Sequence, residues 1–433
     1  MKASLPALLT AATMLLPLGE ITAEEPTILR QPAEFEPLSA VWMIWPQVDH
    51  LAGYSNDEVA TQIVAAVAPH TPVKIVVSSP EIAAKAKSHV AAEFIEKQRV
   101  EIIEIPSIEF WTRDMGPVFV ETTEGQKAIA DFAFDAWGYG DPSEPDTQVE
   151  EVFDERVAAH LKLPVVSSNM ISEGGNREVN GRGTLMLVES VEMGRNPNLS
   201  RTEMEAEFRR LLGVTTVIWL KRGLREDDHT FLGPIGTHHG EPVYTCVTTN
   251  GHIDEFARFV NPTTILLGEV PTEDLADPIA SENHERLQEN YEILRKATDQ
   301  DGNPFTILRM PLPKSVFEVM RPGDSVYDYI STLNYPNSVP FPVGRPVAVI
   351  AAGSYLNFLI ADKAIVGQSF ARPGDDITVA RRDAKAKRIL EKAFPDRDVV
   401  MINALPVNFG GGGIHCITMQ EPRIGSRRDQ STR

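Results

Sequence analysis

A cysteine near the C-terminal end of the sequence could act as a nucleophile. Cys416 follows four consecutive glycines in a chain of 433 residues that contains only two cysteines. Glycine has no Cβ, so such a run lets the backbone adopt positive φ angles and lets a second molecule approach closely. A free cysteine is more often a small buried hydrophobe than a catalyst. The glycine run and the adjacent His415 favour a catalytic thiol at this position.

Five further polar residues that could assist a thiol are spread along the chain, each at a crossing from one predicted strand to the next. They are Asp114, Glu173, His252, Asp254 and Asn357. A nucleophilic thiol needs a proton shuttle and groups that fix the reacting carbon, and this set supplies both. Taken singly, each residue also has an ordinary structural interpretation, such as an ion pair or a turn hydrogen bond. Their shared place in the loops predicts one site.

The elements between these loops repeat in one order: an apolar strand, a polar loop, a second strand and an amphipathic helix. The predicted strands cover residues 41–45, 73–77, 100–105, 118–121, 165–167, 184–188, 215–220, 264–267, 305–308, 351–360 and 399–402, and the predicted helices cover 57–68, 201–212, 283–297 and 383–394. About five such crossings, roughly 60 to 100 residues apart, indicate a pseudo-symmetric array. An open doubly wound sheet is the alternative, although no glycine-rich phosphate loop follows the first strand.

Composition and charge restrict the class of partner. The chain is 42% hydrophobic and 24% charged, which is typical of a soluble protein. Its formal net charge of -20 and pI near 5.0 disfavour nucleic acid and anionic membrane surfaces as partners. An acidic protein attracts small cations instead.

The first 23 residues have the pattern of a secretory signal peptide. Lys2 is followed by an apolar stretch over residues 5–18 and by small residues before Glu24. This stretch is too short to span a bilayer, and no later run is long enough, so we expect no integral membrane span. We therefore expect a secreted or periplasmic protein whose mature chain begins near Glu24.

Export leaves two alternatives open for the cysteines and histidines. An oxidising compartment would permit a disulfide between Cys246 and Cys416, which would abolish the nucleophile. Two cysteines do not form a disulfide scaffold, so we expect free thiols. A metal site would have to use the pair His238 and His239 with His252 and Asp254. Adjacent histidines on a strand cannot face one metal, and no known ligand spacing is present, so we expect no metal.

Four segments together resemble a known family. They are WTRDMGP at 111–117, EGGN at 173–176, GHIDEFARF at 251–259 and GGGGIHCIT at 410–418. In this order, and over nearly all of the mature chain, they resemble the agmatine deiminase and Porphyromonas-type peptidylarginine deiminase family. The resemblance implies the pentein fold, a five-bladed pseudo-symmetric α/β propeller formed by residues 24–433 as a single domain. It also implies hydrolysis of a guanidinium group to a ureido group and ammonia, without a metal or organic cofactor.

The resemblance also assigns roles to the candidate residues. It implies that Cys416 is the nucleophile, that His252 is the general acid and base, and that Asp114 and Asp254 hold the guanidinium nitrogens. Asn357 falls where the family has a site asparagine, and Glu173 and Trp111 complete the substrate-binding set. Paired carboxylates suit a planar cation with five donors. They should also raise the pKa of the thiol, so we expect a neutral thiol in the free protein.

The substrate's far end is where the sequence departs from the family. Glu178 and Asn180 stand where a histidine and an aspartate would be expected. Agmatine is the leading substrate and free or peptidyl arginine the alternative, in which Arg177 or Arg182 would meet a carboxylate; we expect both arginines to lie in a solvated loop instead.

Two hypotheses from other classes stay open. One is a non-catalytic periplasmic binder of guanidinium or polyamine ligands. The other is a cysteine amidase or protease, which would need a backbone oxyanion hole rather than convergent carboxylates. The sequence does not indicate an oligomeric state.

Overall fold

The computed structural model describes residues 25–141, 143–335 and 339–425. The predicted signal peptide at 1–23 lies outside the described residues. The strands are β1 (Ile28–Arg30), β2 (Leu38–Ile44), β3 (Val73–Val77), β4 (Val100–Glu104), β5 (Val118–Thr122), β6 (Lys127–Ala133), β7 (Val165–Ile171), β8 (Glu178–Val179), β9 (Thr184–Val188), β10 (Thr216–Leu220), β11 (Gly236–His238), β12 (Glu241–Thr245), β13 (Ala257–Asn261), β14 (Thr264–Glu269), β15 (Thr306–Pro311), β16 (Phe317–Met320), β17 (Val347–Ile350), β18 (Leu359–Ile360), β19 (Ala364–Ser369), β20 (Asp398–Asn403) and β21 (Met419–Pro422).

The α-helices lie mainly between parallel strands. They are α1 (Asn56–Val67), α2 (Pro80–His89), α3 (Ala92–Glu96), α4 (Thr112–Met115), α5 (Pro145–Glu151), α6 (Phe153–Leu161), α7 (Glu189–Arg195), α8 (Arg201–Leu212), α9 (Pro278–Leu294), α10 (Ser325–Thr332), α11 (Ile377–Ala393) and α12 (Leu405–Asn408).

Five sheets of the described chain share one construction. Their strand orders are β21-β2-β3-β4, β1-β5-β6-β7, β8-β9-β10, β13-β14-β15 and β18-β19-β20. Each contains an antiparallel pair followed by a parallel strand. A helix makes each parallel crossing, because two parallel strands cannot be joined by a tight turn. The open doubly wound alternative is therefore wrong, since the parallel strands belong to separate small sheets.

The chain visits these five sheets in order and then returns to the first one. The C-terminal strand β21 pairs antiparallel with β2, and Leu38 lies opposite Pro422. Five connections link one sheet to the next around this closed path, and each carries at least one of the predicted site residues. This construction agrees with the pentein fold that the sequence implied.

A sixth sheet was not predicted. Its order is β11-β12-β17-β16, and the parallel pair β12 and β17 joins insertions in two of the five connections. The prediction of one strand over 351–360 was also wrong. Only the two-residue β18 is a strand in this range, and the residues between β17 and β18 form a buried loop.

One helix starts where it was predicted and another starts earlier. The helix α8 occurs as predicted, with a capping box between Ser200 and Glu203. The helix α9 starts at Pro278 rather than at residue 283, because the Asp277 side chain accepts from the N–H groups of Ile279 and Ala280. Apolar periodicity marks only the buried face of a helix. No helix among the described residues has the length and hydropathy to cross a membrane.

Candidate active site

The loop between β20 and β21 places Cys416 against the ends of the other connections. Gly411 has a φ of +114°, and a Cβ there would stand 2.1 Å from the carbonyl oxygen of Val247. A Cβ on Gly412 would lie 2.8 Å from the Trp111 ring and 2.9 Å from Cys416 Sγ. Any larger side chain in this run would displace Cys416 or its neighbours. The glycines therefore serve close approach, as the sequence predicted.

The Asn357 amide bonds the thiol to two carboxylates. Its Nδ2 donates to Cys416 Sγ at 3.0 Å, to Glu255 Oε1 at 2.8 Å and to Asp254 Oδ2 at 3.2 Å. The thiol lies 3.5 Å from Asp254 Oδ2. Burial raises the pKa of the Cys416 thiol well above its usual value, and the charges of Asp254, Glu255 and Asp114 raise it further. The predicted neutral thiol is thus confirmed in direction.

His252 lies between two carboxylates without bonding to either. Its Nδ1 is 3.7 Å from Asp114 Oδ1 and its Nε2 is 3.6 Å from Glu173 Oε2. Burial lowers the pKa of this imidazole, but the carboxylates of Asp114, Glu173 and Asp254 outweigh burial and raise the pKa to about 9. His252 is therefore an imidazolium at neutral pH.

Opposite forces act on the two carboxylates that flank His252. Burial raises the pKa of Asp114, although the His252 charge opposes it. Burial also acts to raise the pKa of Glu173, but Arg195, whose Nε donates to Glu173 Oε1 at 2.6 Å, holds that pKa below its usual range. Glu173 therefore supplies the more firmly fixed negative charge.

The backbone before His252 is held by Asp227, which the sequence analysis missed. Asp227 accepts from the N–H groups of Thr249, Gly251 and His252 at 3.0, 3.1 and 2.8 Å. Both Asn250 and Gly251 have positive φ, so these bonds fix a tight turn. A run of adjacent acids at 226–228 is the only sequence signal for this role.

The space between Asp114 and His252 is kept open by Gly175. The Gly175 N–H donates to Asp114 Oδ1 at 2.8 Å, and the Trp137 indole donates to Asp114 Oδ2 at 2.8 Å. A Cβ on Gly175 would stand 2.5 Å from His252 Nδ1 and 3.3 Å from Asp254 Oδ2. Gly175 therefore marks the centre of the cluster, where the polar side chains converge.

Several buried polar atoms at this centre have no hydrogen-bond partner. They are Glu173 Oε2, Asp254 Oδ1, Glu255 Oε2 and both ring nitrogens of His252. Buried polar atoms in folded proteins are nearly always hydrogen-bonded, so a convergent set without partners marks a site for a polar ligand. Acceptors predominate, which suits a cation with several N–H donors.

Two groups of side chains have the proximity of metal ligands but are occupied by N–H donors. Asp254, Glu255 and Cys416 form one, and the Asn357 amide bonds all three. The other is Glu34, Glu178 and His415. Arg258 bonds both of its glutamates. A neutral amide thus donates N–H groups to the first set, and a guanidinium cation donates to the second.

The remaining thiol and the paired histidines do not join the site. Cys246 and Cys416 are both free, as predicted, and Cys246 Sγ donates to the carbonyl oxygen of Ile350 at 3.2 Å. His238 stacks on Phe317 with ring centroids 4.2 Å apart, away from the ligand groups described above.

The structure brings together all of the predicted residues and adds others. His415 bridges Asp254 Oδ2 at 2.7 Å and Glu34 Oε1 at 2.8 Å. Sequence reasoning noted His415 only as a neighbour of Cys416 and missed Glu34 and Glu255. Glu255 adjoins Asp254 in the third motif, which was an available signal, whereas nothing in the sequence distinguishes Glu34.

The expected solvated loop at Arg177 was wrong. Arg177 is buried, bonds the Ser172 carbonyl oxygen and lies over the Phe132 ring at 4.2 Å. Arg182 is exposed, as expected. Glu178 pairs with Arg258.

Asn180 accepts from the N–H groups of Arg182 and Thr184 at 2.9 and 3.0 Å. It therefore holds the turn before β9. Both departures from the family, Glu178 and Asn180, make structural contacts in this protein, and neither is among the unpartnered groups of the site.

This arrangement, a thiol, an imidazolium and convergent carboxylates on five connections of a closed ring of sheets, defines a guanidine-modifying hydrolase of pentein fold. The chain belongs to the Porphyromonas-type peptidyl-arginine deiminase family, whose model matches residues 30–232 and 238–422. The match spans all four motifs.

Curated relatives and solved structures are similar over nearly the whole chain. The agmatine deiminase of Pseudomonas putida is 31% identical over 398 residues, which cover 90% of this chain and 95% of the relative. That of Ectopseudomonas mendocina is 32% identical over 402 residues, with the same coverage. The structure of the Enterococcus faecalis agmatine deiminase matches with a TM-score of 0.70 and 27% identity, covering 92% of this chain and 96% of that one.

Proposed function

We propose that the protein hydrolyses agmatine to N-carbamoylputrescine and ammonia, with Cys416 as the nucleophile. The observation that carries this proposal is the set of unpartnered carboxylate oxygens on Glu173, Asp254 and Glu255 around one thiol. A guanidinium group has five N–H donors in a plane and no acceptor, so it complements these acceptors. Its positive charge also offsets the negative charges that raise the pKa of the thiol.

The first half of the reaction forms a bond between sulfur and the guanidinium carbon. Asp114 and Asp254 hold the guanidinium nitrogens and retain the positive charge at the carbon under attack. The substrate's charge favours loss of the thiol proton, which passes to solvent as the substrate binds, and the thiolate attacks the carbon. The His252 imidazolium then protonates the leaving nitrogen, the carbon–nitrogen bond breaks and ammonia departs.

The second half restores the thiol. His252 is neutral after donating its proton, so it can accept one from a water molecule that attacks the same carbon. The carbon–sulfur bond breaks, and the ureido product and the Cys416 thiol are released. One histidine thus serves both half-reactions, first as an acid and then as a base.

The surroundings of the site favour an amine at the far end of the substrate over a carboxylate. Neither candidate arginine is suitably placed, because Arg177 is bound to Ser172 and Arg182 lies on the exposed turn before β9. Glu109 lies beside Trp111, and burial raises the pKa of its carboxyl although a hydrogen bond from Trp111 opposes this. A cation placed beside Glu109 would favour the ionised form, and agmatine supplies such a cation at its far end, where free arginine is a zwitterion.

The test is ureido-product formation by the purified protein with agmatine, arginine and an arginine-containing peptide. Turnover of agmatine, lost in Cys416→Ala and kept in Cys246→Ala, is the expected result. Turnover of arginine or of the peptide instead would select the alternative substrate, to which the family's name refers. No turnover of any of the three by a folded protein with a free Cys416 would favour a guanidinium-binding protein.

We further propose that residues 1–23 direct export and that the mature enzyme works outside the cytoplasm. The support is the sequence pattern alone: a charged start, an apolar stretch and small residues before Glu24. Cell fractionation with N-terminal sequencing of the recovered protein tests this. An intact N-terminus in the cytoplasmic fraction would contradict the proposal.

A further inference from the structure

A surface cleft leads toward the rear of the active site. The cleft has a volume of about 780 Å³ and lies between α5 and the strands β6 and β7. A small inner cavity of about 10 Å³ follows it. Phe134 and Glu151 line both spaces, and Asp114 of the active site lines the inner one. The outer cleft and the inner cavity therefore lie one behind the other, between the protein surface and the carboxylate of Asp114.

The inner cavity contains a buried donor that no group among the described residues satisfies. Arg177 is only 5% exposed, and its Nε has no hydrogen-bond partner. The rest of its guanidinium is fixed by the Ser172 carbonyl and the Phe132 ring. A cavity of this volume accommodates about one water molecule, and Arg177, Ser172 and Asp154 supply the polar partners that a buried water requires.

Acidic groups continue from the inner cavity toward the surface. Burial raises the pKa of Asp154 well above its usual value, and the charge of Asp131 adds to this. Burial likewise raises the pKa of Glu151, which reaches the outer cleft. Two carboxyl groups whose pKa values are raised above their usual range thus line the route.

The reacting groups are otherwise enclosed. Cys416 is 5% exposed and His252 is 1% exposed, and Trp111 and Trp137 cover the cluster. A substrate whose tail extends past these rings would occupy the front of the site throughout the reaction. The hydrolytic water must nevertheless reach the carbon after ammonia has left.

We propose that the inner cavity and the outer cleft form a rear passage through which ammonia leaves and water enters. This inference rests on the guanidine deiminase activity. Ammonia leaves as a neutral molecule, after His252 has protonated the departing nitrogen, and can therefore pass the Arg177 cation. Beyond Arg177, the ammonia molecule takes a proton from the carboxyl groups of Asp154 and Glu151. One water then occupies the position on Arg177 Nε before it attacks the thiol-bound carbon.

The decisive variant fills the cavity without touching the catalytic groups. Val118 lines the inner cavity, and Val118→Ile adds one methylene there. Val120→Ile is the matched control, because Val120 lies on the same strand, equally buried, but outside the cavity. We expect kcat of Val118→Ile to fall at least tenfold, with a covalent adduct of Cys416 visible by mass spectrometry under turnover, and Val120→Ile to match the wild type.

Equal turnover of the two valine variants, with no adduct in either, would overturn the passage. Arg177→Lys provides a second test in case Val118→Ile does not fold, because it keeps the charge and removes the Nε donor. It should also slow the hydrolytic step and accumulate adduct. A crystal structure should show a water bonded to Arg177 Nε; a side chain filling that position would refute the proposal. If the wild type itself turned over no guanidine, the proposed function would fail instead.

Discussion

Two buried polar clusters lie side by side and differ in how their atoms are satisfied. The support cluster consists of Glu34, Arg113, Glu178, Arg258 and His415, and the catalytic cluster consists of Glu173, His252, Asp254, Glu255 and Cys416. Arg258 bonds Glu34 at 2.6 Å, Glu178, and the carbonyl oxygens of Leu356 and Phe358 at 3.0 and 2.9 Å. No side-chain atom of the support cluster lacks a partner, whereas four of the five catalytic residues have one or more such atoms.

The difference separates two uses of buried charge. Complete pairing compensates the cost of removing charges from water and holds one arrangement, while incomplete pairing leaves acceptors for a ligand. The clusters are connected through His415, which bonds Glu34 on one side and Asp254 on the other. The Asp254 carboxylate accordingly keeps a pKa below its usual value despite burial, because His415 stabilises its charge. The support cluster thus prepares one member of the catalytic cluster.

The largest expected effect is a loss of activity on removal of the Cys416 thiol, whereas removal of the Cys246 thiol should affect only stability. Cys416→Ala should lower kcat by about 10⁴-fold or more, because the nucleophile is lost. Its stability should change little, since the thiol lies among carboxylates that disfavour its ionisation. Cys246→Ala should keep full activity and lose about 1 kcal/mol of stability, because it removes a packed thiol. Product assays and thermal unfolding of both variants check this, and equal loss of activity would remove the distinction.

Breaking the support cluster should have the next largest effect, and on stability. Arg258→Met leaves Glu34 and Glu178 buried without their shared cation, which should cost about 3–5 kcal/mol. Arg182→Met, on the exposed turn, should remain within about 0.5 kcal/mol of the wild type. Denaturant unfolding measures both. Comparable small losses in the two variants would show that the support cluster does not hold the fold.

The free energy of unfolding should depend on pH because His252, in the incompletely paired catalytic cluster, has a raised pKa. The pKa of His252 is raised from 6.5 to about 9 by its carboxylates, so the folded state binds the proton more tightly than the unfolded state. This contribution, on the order of 3 kcal/mol, is fully present below pH 6.5 and is lost as pH rises through about 9. Unfolding free energies between pH 6 and 10 should fall more for the wild type than for His252→Asn. Parallel curves would contradict the raised pKa.

The catalytic cluster was easier to predict from the sequence than its support. Cys416, His252, Asp254 and Asp114 occupy motifs of unusual composition, and the repeated strand and helix pattern indicated that their loops meet. Glu34 and Arg113 form a long-range pair across 79 residues, and no local pattern marks it. Such a pair forms only because the five sheets close into a ring, and the hydrophobic periodicity of the sequence does not show how the ring closes.

The sheet insertion and the polar helix starts were missed for related reasons. The strands β12 and β17 are separated by about a hundred residues and stabilise each other only in the folded protein. The start of α9 is set by its N-cap Asp277 and by Pro278, which apolar periodicity does not mark. The buried position of Arg177 was likewise unpredictable, since a charged residue in a glycine-rich loop is usually solvated.

The smallest expected effect distinguishes a hydrogen bond at the catalytic centre from the same bond elsewhere. The Trp137 indole donates to Asp114 at 2.8 Å, and the Trp219 indole donates to Glu205 at the same distance on the outside of the ring of sheets. Trp137→Phe and Trp219→Phe remove the same N–H and keep an aromatic ring. Each bond to a carboxylate contributes about 1–2 kcal/mol.

Only the loss at Trp137 falls on Asp114, the carboxylate that we propose holds the substrate. Trp137→Phe should therefore lower kcat/KM by roughly five- to thirtyfold, while Trp219→Phe should leave the kinetics unchanged and cost only stability. Steady-state kinetics with agmatine and thermal unfolding of both variants provide the measurement. If kcat/KM were unchanged in Trp137→Phe, the hydrogen bond from the Gly175 N–H would be sufficient to hold Asp114. The Trp137 indole would then not contribute to catalysis.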